Sequence, residues 1–417
     1  MRVPELLAPA SDLISGESAF EFGADAIYIG LGIYNLRANS KNILEKELSE
    51  LLLLSAKKKK KVYLAINIFP DDNTINNIVK TFEYIAKNKL FPNAFIVGDP
   101  GVIEICKQFV PDIKLHLSTQ FGTFNSKSAE FWIKNGVKRF ILPRELNLEQ
   151  ITKISKSIKA ETEIFIHGAM CVSISGRCLL SAYMSKRHAN YGDCVQPCRL
   201  KYQIMPIKDD KENKEILTVE EEKNENGIKN IAYILNSKDL CCLPILDKIV
   251  SSGVSSLKIE GRNRSINYVA TCVKIYREAL DYILSGEKYK IKKEWIDELE
   301  KLDHRPYTTG FYCGEYELQD VLNKRPPAQT KIVGYVREIL SNGYAVVDVK
   351  NPFGINETLN IMPARKEIMS FDAKILEIKN IEGEKLNVAL TNRIVFVLTE
   401  PKLMNFDIIR VKNKVNE

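Results

Sequence analysis

Two textures alternate along the first two thirds of the chain. Short apolar runs at Glu5–Ala8, Ala26–Gly30, Val62–Ile68, Ala94–Val97, Lys114–Leu117, Arg139–Leu142, Glu163–Ile166 and Ser256–Ile259 have the near-continuous character of strands buried on both faces. Segments with apolar residues at helical spacing lie between them, among them Glu45–Lys57, Ile75–Asn88 and Ser126–Asn135. A local unit recurs at Gly23-Ala-Asp-Ala-Ile-Tyr-Ile, Gly136-Val-Lys-Arg-Phe-Ile-Leu and Gly253-Val-Ser-Ser-Leu-Lys-Ile. Each sets a glycine suited to a helix C-terminus three residues before a buried strand. Eight such strands predict a (β/α)8, TIM-like barrel spanning residues 1–290, with an open doubly wound sheet as the alternative.

The last two predicted strands are about ninety residues apart, where a plain repeat needs about thirty. An insertion over 170–250 fills the difference, and its charged stretch Lys208 to Asn230 reads as a solvated loop or hairpin. After a predicted helix at Ile266–Leu284 comes a polar connection, 291–328. From 329 to 417 the period shortens to two. Strands are expected at Val333–Ile339, Tyr344–Val349, Glu357–Ile361, Ala373–Ile378, Leu386–Leu390 and Ile408–Val411, which is the pattern of a small all-β, barrel-like domain.

A barrel places its site at the C-terminal strand ends. Those ends carry Pro9, Gly30, Asn67, Asp99, Gln120, Arg144 with Glu145, His167, and Glu260 with Arg262. His167, Glu145 and Glu260 are the candidate proton-handling residues.

Composition changes this picture little. Of 417 residues 45% are apolar and 27% charged, and the net charge of +7 permits an anionic partner without requiring one. The N-terminal stretch lacks the pattern of a secretory signal, and the run Leu51 to Leu54 is far short of the roughly 20 residues that span a bilayer. A cytoplasmic protein without a membrane segment is expected, and there nine cysteines point to metal or thiol chemistry rather than disulfides.

Four of those cysteines, Cys171, Cys178, Cys194 and Cys198, fall within twenty-eight residues. Thiolates are soft ligands for iron–sulfur clusters and zinc. Zinc ribbons pair their cysteines two to four residues apart, twice, and here only Cys194 and Cys198 are that close. Glycines at 168, 176 and 192 would let backbone amides approach inorganic sulfide. An iron–sulfur site, a zinc site and redox thiols all remain open on this chemistry. Cys241 is an alternate fourth ligand, whereas Cys106, Cys272 and Cys313 read as packing residues.

Several stretches resemble peptidase family U32. They are Glu5-Leu-Leu-Ala-Pro-Ala, Gly23-Ala-Asp-Ala-Ile-Tyr-Ile-Gly, Leu36-Arg-Ala-Asn, Phe165-Ile-His-Gly-Ala-Met-Cys-Val-Ser-Ile-Ser-Gly-Arg-Cys, Ser237-Lys-Asp-Leu and Leu257-Lys-Ile-Glu-Gly-Arg. The resemblance runs from residue 5 to about 312. It implies prephenate-dependent 5-hydroxylation of the tRNA wobble uridine, with hydroxylation of a ribosomal RNA cytidine or a ubiquinone precursor in other branches, and the collagenase-like proteolysis for which the family is named as the alternatives. It also implies a 4Fe–4S cluster on Cys171, Cys178 and Cys194; the fourth position varies among branches of the family, and Cys198 is chosen for its short spacing from Cys194. Arg37, Arg144 and Arg262 become candidates for binding prephenate, since guanidinium groups grip carboxylates bidentately. Lys186, Arg187 and Arg199 become candidates for tRNA phosphates. A paralogous member of the family is a candidate partner. No His-Glu-x-x-His or Gly-x-Ser-x-Gly motif supports proteolysis. An RNA-binding scaffold with a structural zinc is the remaining class.

Overall fold

The computed structural model describes residues 3–38, 42–43, 45–203, 222–224, 227–229, 231–314, 318–320, 328–365 and 368–413. Eight parallel strands form a closed barrel: β1 (Glu5–Pro9), β2 (Ala26–Gly30), β3 (Lys61–Ile66), β4 (Ala94–Val97), β5 (Lys114–Leu117), β6 (Val137–Ile141), β7 (Glu161–Ala169) and β8 (Ser256–Ile259). Ser256 pairs with Glu5 on one side and Glu163 on the other, which closes the ring and excludes the open sheet. Helices α1 (Leu13–Glu21), α2 (Glu45–Lys57), α3 (Asp72–Lys87), α4 (Pro100–Phe109), α5 (Ser126–Lys134) and α6 (Leu148–Ser157) follow the first six strands. Their starts are written in the sequence. Asp71 accepts from the Thr74 amide, Asn125 from Ser128, and Asn147 with Gln150 forms a reciprocal capping box.

The barrel interior is not uniformly apolar. Glu163 on β7 is fully buried and takes Lys258 Nζ from β8 at 2.9 Å and Arg139 Nη1 from β6 at 3.1 Å. Arg139 continues to Glu5 at 2.7 Å and Glu161 at 2.6 Å. Because β6 and β1 are not neighbours in the ring, the Arg139–Glu5 contact reaches across the barrel.

Between β7 and β8 the insertion carries a short helix, α7 (Leu180–Ser185), a short strand Asp239–Cys241 and α8 (Leu246–Ser251). The end of β7 runs past the barrel and pairs antiparallel with Asp239–Cys241. Of the charged stretch, Glu222–Asn224 and Gly227–Lys229 pair antiparallel, and the remainder lies outside the described residues.

Within the stretch 291–328, expected as a connection, residues 293–313 fold onto the barrel instead. After α9 (Ile266–Leu284) comes α10 (Lys293–Glu300), with Trp295 and Leu299 in the core. Tyr307–Thr308 then extends the sheet beside Asp239–Cys241, and Tyr312 Oη donates to the Phe165 carbonyl at 2.7 Å.

Six antiparallel strands close the C-terminal barrel: β9 (Thr330–Ile339), β10 (Ala345–Val349), β11 (Thr358–Met362), β12 (Phe371–Lys379), β13 (Ile394–Glu400) and β14 (Ile408–Lys412). The expected strand at Leu386–Leu390 is a correction. Only Val388–Ala389 pairs there, with Phe353–Gly354, and β13 fills the barrel position. Val388 and Leu390 are exposed, whereas alternate residues of β13 are buried, so the second run has the half-buried period a barrel wall needs.

The two barrels are fastened by buried charge. Arg410 on β14 meets Glu298 on α10 at 2.9 Å with both side chains almost fully buried. Lys274 Nζ donates to the carbonyls of Pro363, Arg365 and Ile368 at 2.6–2.7 Å, which uses all three ammonium donors. Lys274→Met leaves those carbonyls without their donor and is expected to lower stability by about 2 kcal/mol, read as a lower urea midpoint. No helix among the described residues is long and apolar enough to cross a membrane.

Candidate active site at the barrel mouth

A cavity of about 200 Å³ opens at the C-terminal ends of the strands. Barrel residues Tyr28, Ala65, Ile96, Ile141, Phe165 and Lys258 contribute to its lining, together with the strand exits Arg37, Asn67, Ser118, Arg144 with Glu145, and Glu260 with Arg262. Cys171, Cys178, Cys194 and Cys198 line the same cavity, as does Phe311 from the stretch expected to be a linker.

The cysteine segment is shaped by turns that reverse it over the barrel. Ser175 (φ 49°) and Gly176 (φ 75°) take the left-handed conformation, and Glu145 Oε1 accepts from the Ser175 amide at 2.6 Å. Asn190 accepts from the Cys178 amide at 3.2 Å and donates to the Gly176 carbonyl at 3.3 Å, joining the two halves of the segment. Gly192 sits so close to the chain at Asn35 that a Cβ would lie 2.3 Å from the Asn35 carbonyl oxygen. The Gln196 amide donates to Cys194 Sγ at 3.3 Å.

Burial raises the Cys198 thiol above its ordinary value; Arg199 opposes this, and charge at Cys171, Cys194 and Cys178 adds to it. Cys198 therefore lies within the field of the other three sulfurs. Among the described residues no three Cys, His, Asp or Glu converge as they would on a single ion; the thiols are spread along a cavity wall. The donor set, four thiols with an amide already directed at one sulfur, fits a polynuclear metal–sulfide group. Cys241 is elsewhere: it is buried, with Sγ 3.8 Å from Tyr276 Oη, and does not line the cavity. Cys106 and Cys272 are buried as expected of packing residues, but Cys313 is exposed.

The three arginines come together at the cavity. Arg37 Nη2 pairs with Glu260 at 3.1 Å. Arg144 Nη1 donates to the Ala169 carbonyl at 2.7 Å, with its guanidinium 3.9 Å from the centre of the Phe165 ring. Arg262 donates to Asn35 Oδ1, and burial pulls its pKa down to about 10. Burial raises the Glu260 carboxyl, but Arg37 and Arg144 more than reverse this and hold it below its ordinary value. Glu145 also lines the cavity, with Oε2 buried and without a hydrogen-bond partner.

His167 does not line the cavity. It lies opposite Cys241 in the sheet, ringed by Tyr268, Tyr276 and Tyr307 at centroid distances of 5.5–5.8 Å. Burial drives its pKa down to about 3, so the ring is neutral. Arg199 also turns inward, to the Asn236 side chain at 2.9 Å and the carbonyls of Ser237 and Met170. Sequence reasoning missed Lys258, on the cavity lining with Nζ 4.2 Å from the centre of the Tyr28 ring. The signal was present as a lysine inside an otherwise apolar strand.

A (β/α)8 barrel whose mouth holds thiols, guanidinium groups and carboxylates around one cavity has the layout of a barrel enzyme's active site. The chain belongs to peptidase family U32: residues 11–321 match that family and residues 328–410 match its C-terminal domain. It is 31% identical to tRNA hydroxylation protein P of Haemophilus influenzae over 99% of this chain and 97% of that one. It is 33% identical to an uncharacterized protease of Methanocaldococcus jannaschii, over 94% and 97% respectively. Identity to the 23S rRNA 5-hydroxycytidine C2501 synthase of Escherichia coli is 30%, over 89% of this chain and 54% of that one.

Proposed function

We propose that this chain is a tRNA-modifying hydroxylase that forms 5-hydroxyuridine at the wobble position with prephenate as cosubstrate. In this reading a 4Fe–4S cluster is held by Cys171, Cys178, Cys194 and Cys198. The observation that carries the reading is the placement of all four thiols on the cavity that Arg37, Arg144 and Arg262 also line. End-to-end similarity to a protein named for tRNA hydroxylation favours tRNA over ribosomal RNA, since the match to the ribosomal enzyme covers about half of that protein.

Oxidation at a pyrimidine carbon lies beyond side-chain chemistry, and the cluster, when bound, supplies the redox-active centre. The protein's own groups bind, orient and exclude water. Arg144 and Arg262 present guanidinium groups to the carboxylates of a dicarboxylate. Glu260 fixes Arg37 by their ion pair, and apolar Ile96, Ile141 and Phe165 keep water from the cavity. Lys258 Nζ holds a proton beside Tyr28, oriented by Glu163 at 2.9 Å.

Proteolysis by a Cys–His pair lacks its base, because no histidine is among the residues lining the cavity. Arg262→Lys keeps the charge but loses the fork, and is expected to raise KM for prephenate by about 10-fold or more while cluster content is unchanged. Mass spectrometry of tRNA nucleosides from cells lacking the chain tests the whole reading. Loss of 5-hydroxyuridine derivatives, restored by complementation, is the expected result; an unaltered nucleoside profile overturns it.

A further inference from the structure

The cysteine segment leaves an unusual outer surface around the cavity. Tyr183 is 85% exposed, and Leu179, Ile174, Met184, Val172 and Tyr191 are exposed beside it in sequence. These residues are interleaved with ones that line the cavity. Leu180 lines it one helical turn before Tyr183, and Ala189 lines it two residues before Tyr191. The collar is therefore part of the entrance.

An apolar patch of this kind marks an interaction surface. Its charge says what kind. Between Cys171 and Gln203 there are five Lys or Arg residues and a single acidic one, Asp193. Arg187 pairs with Asp193, and Arg199 is tied inward, whereas Arg177 and Lys186 are exposed cations of the segment. Arg177 stands 5.6 Å from the centre of the Phe69 ring, and Tyr191 packs edge-on to His188 at 5.4 Å, so rings and cations alternate around the rim. Aromatic faces next to cations are what an unpaired nucleic-acid strand needs, since bases stack on rings while phosphates meet the charges. A duplex hides its base faces and gains only from the cations.

We propose that this collar docks an unpaired stretch of RNA. Tyr183 and Tyr191 stack its bases, Arg177 and Lys186 meet its phosphates, and one nucleotide is thereby delivered to the cavity. This inference rests on the RNA-hydroxylase reading and adds which surface engages the substrate.

Fluorescence anisotropy tests it, with anaerobically prepared holoprotein and two probes: a labelled unpaired RNA of about 12 nucleotides and a blunt RNA duplex of the same length. Wild type is expected to favour the unpaired probe. Tyr183→Ala should weaken that binding by about 10-fold and Tyr183→Phe should restore it, because stacking needs the ring and not the hydroxyl. Lys186→Gln and Arg177→Gln should each reduce the salt dependence by about 0.7 in log–log slope. Tyr84→Ala, an exposed tyrosine on α3, is the control and should bind as wild type. Iron content and the visible spectrum, unchanged across the series, show that the cluster segment is intact. If wild type binds RNA and Tyr183→Ala with Tyr191→Ala binds equally well, the collar is overturned while the functional reading survives. If wild type binds neither probe, the collar is overturned, and the nucleoside profile decides the functional reading separately. If the variants dissolve a dimer yet bind RNA normally, the collar is a contact between copies of this chain and the proposal is overturned.

Discussion

If the proposed cluster is present, replacing Cys178 with serine is expected to abolish it: iron and acid-labile sulfide fall from about four each per chain to background, and the proposed tRNA hydroxylation falls with them. Cys178 lies on the cavity with Cys171, Cys194 and Cys198, its amide anchored by Asn190, so it has no slack with which to be replaced by another thiol of the segment. Cys171→Ser, Cys194→Ser and Cys198→Ser should behave alike. Cys241→Ser is the informative contrast. Its sulfur is buried against Tyr276, away from the cavity, so that variant should keep full iron and lose only a small amount of stability. The measurements are iron and sulfide analysis of anaerobically purified protein and nucleoside mass spectrometry. Iron lost from Cys241→Ser and retained by Cys198→Ser would transfer the fourth ligand to Cys241. Gelatin cleavage that survives Cys178→Ser would instead favour the peptidase reading.

Much of the fold was legible because it depends on local pattern. Strands buried on both faces appear as unbroken apolar runs, and the helix starts carry their own caps at Asp71, Asn125 and Asn147. The cavity was legible to the extent that strand exits follow from strand ends, which picks out Arg144, Glu145, Glu260 and Arg262; Arg37 entered with the family resemblance. What escaped depends on partners distant in sequence. His167 stands at a strand end like the others, but the extension of β7 beyond the barrel turns it into a tyrosine pocket beside Asp239–Cys241. Arg199 flanks the cysteines in sequence, but Asn236 and Ser237, 37 and 38 residues further on, hold it inward. The polar stretch 291–328 looked like a connection because Trp295 and Leu299 are too sparse to announce a buried helix, yet they pack on α9 and lead to Phe311 at the cavity. Charged residues open or interrupt four of the apolar runs, at Glu5, Arg139, Glu163 and Lys258, and these four form the network inside the barrel, which no single run announces.

That network yields the largest stability effect expected here. Arg139→Met should destabilise the barrel by about 3–5 kcal/mol at pH 7, because it leaves Glu5 and Glu163 buried without the guanidinium that faces both. The effect should depend on pH in a defined direction. Burial raises the Glu5 carboxyl, but Arg139, Lys61 and Tyr63 more than reverse this, so in the native protein it sits below its ordinary value of 4.5. A carboxyl depressed by folding stabilises the native state above its unfolded pKa, and that contribution is lost as pH falls through the folded value. Without Arg139 the burial effect is no longer overcome, the Glu5 pKa moves upward, and the charged form becomes a cost at neutral pH that protonation relieves. Urea unfolding followed from pH 7 to pH 4 should therefore show the deficit of Arg139→Met narrowing as acid is added. A deficit that is constant across this range would mean that the lost energy is packing of the arginine stem against Tyr63, whose ring centre is 5.1 Å from the guanidinium, and not the buried charge. Lys258 makes the outcome relevant to the site, since the Glu163 carboxylate that binds Arg139 through one oxygen holds the Lys258 ammonium at the cavity through the other.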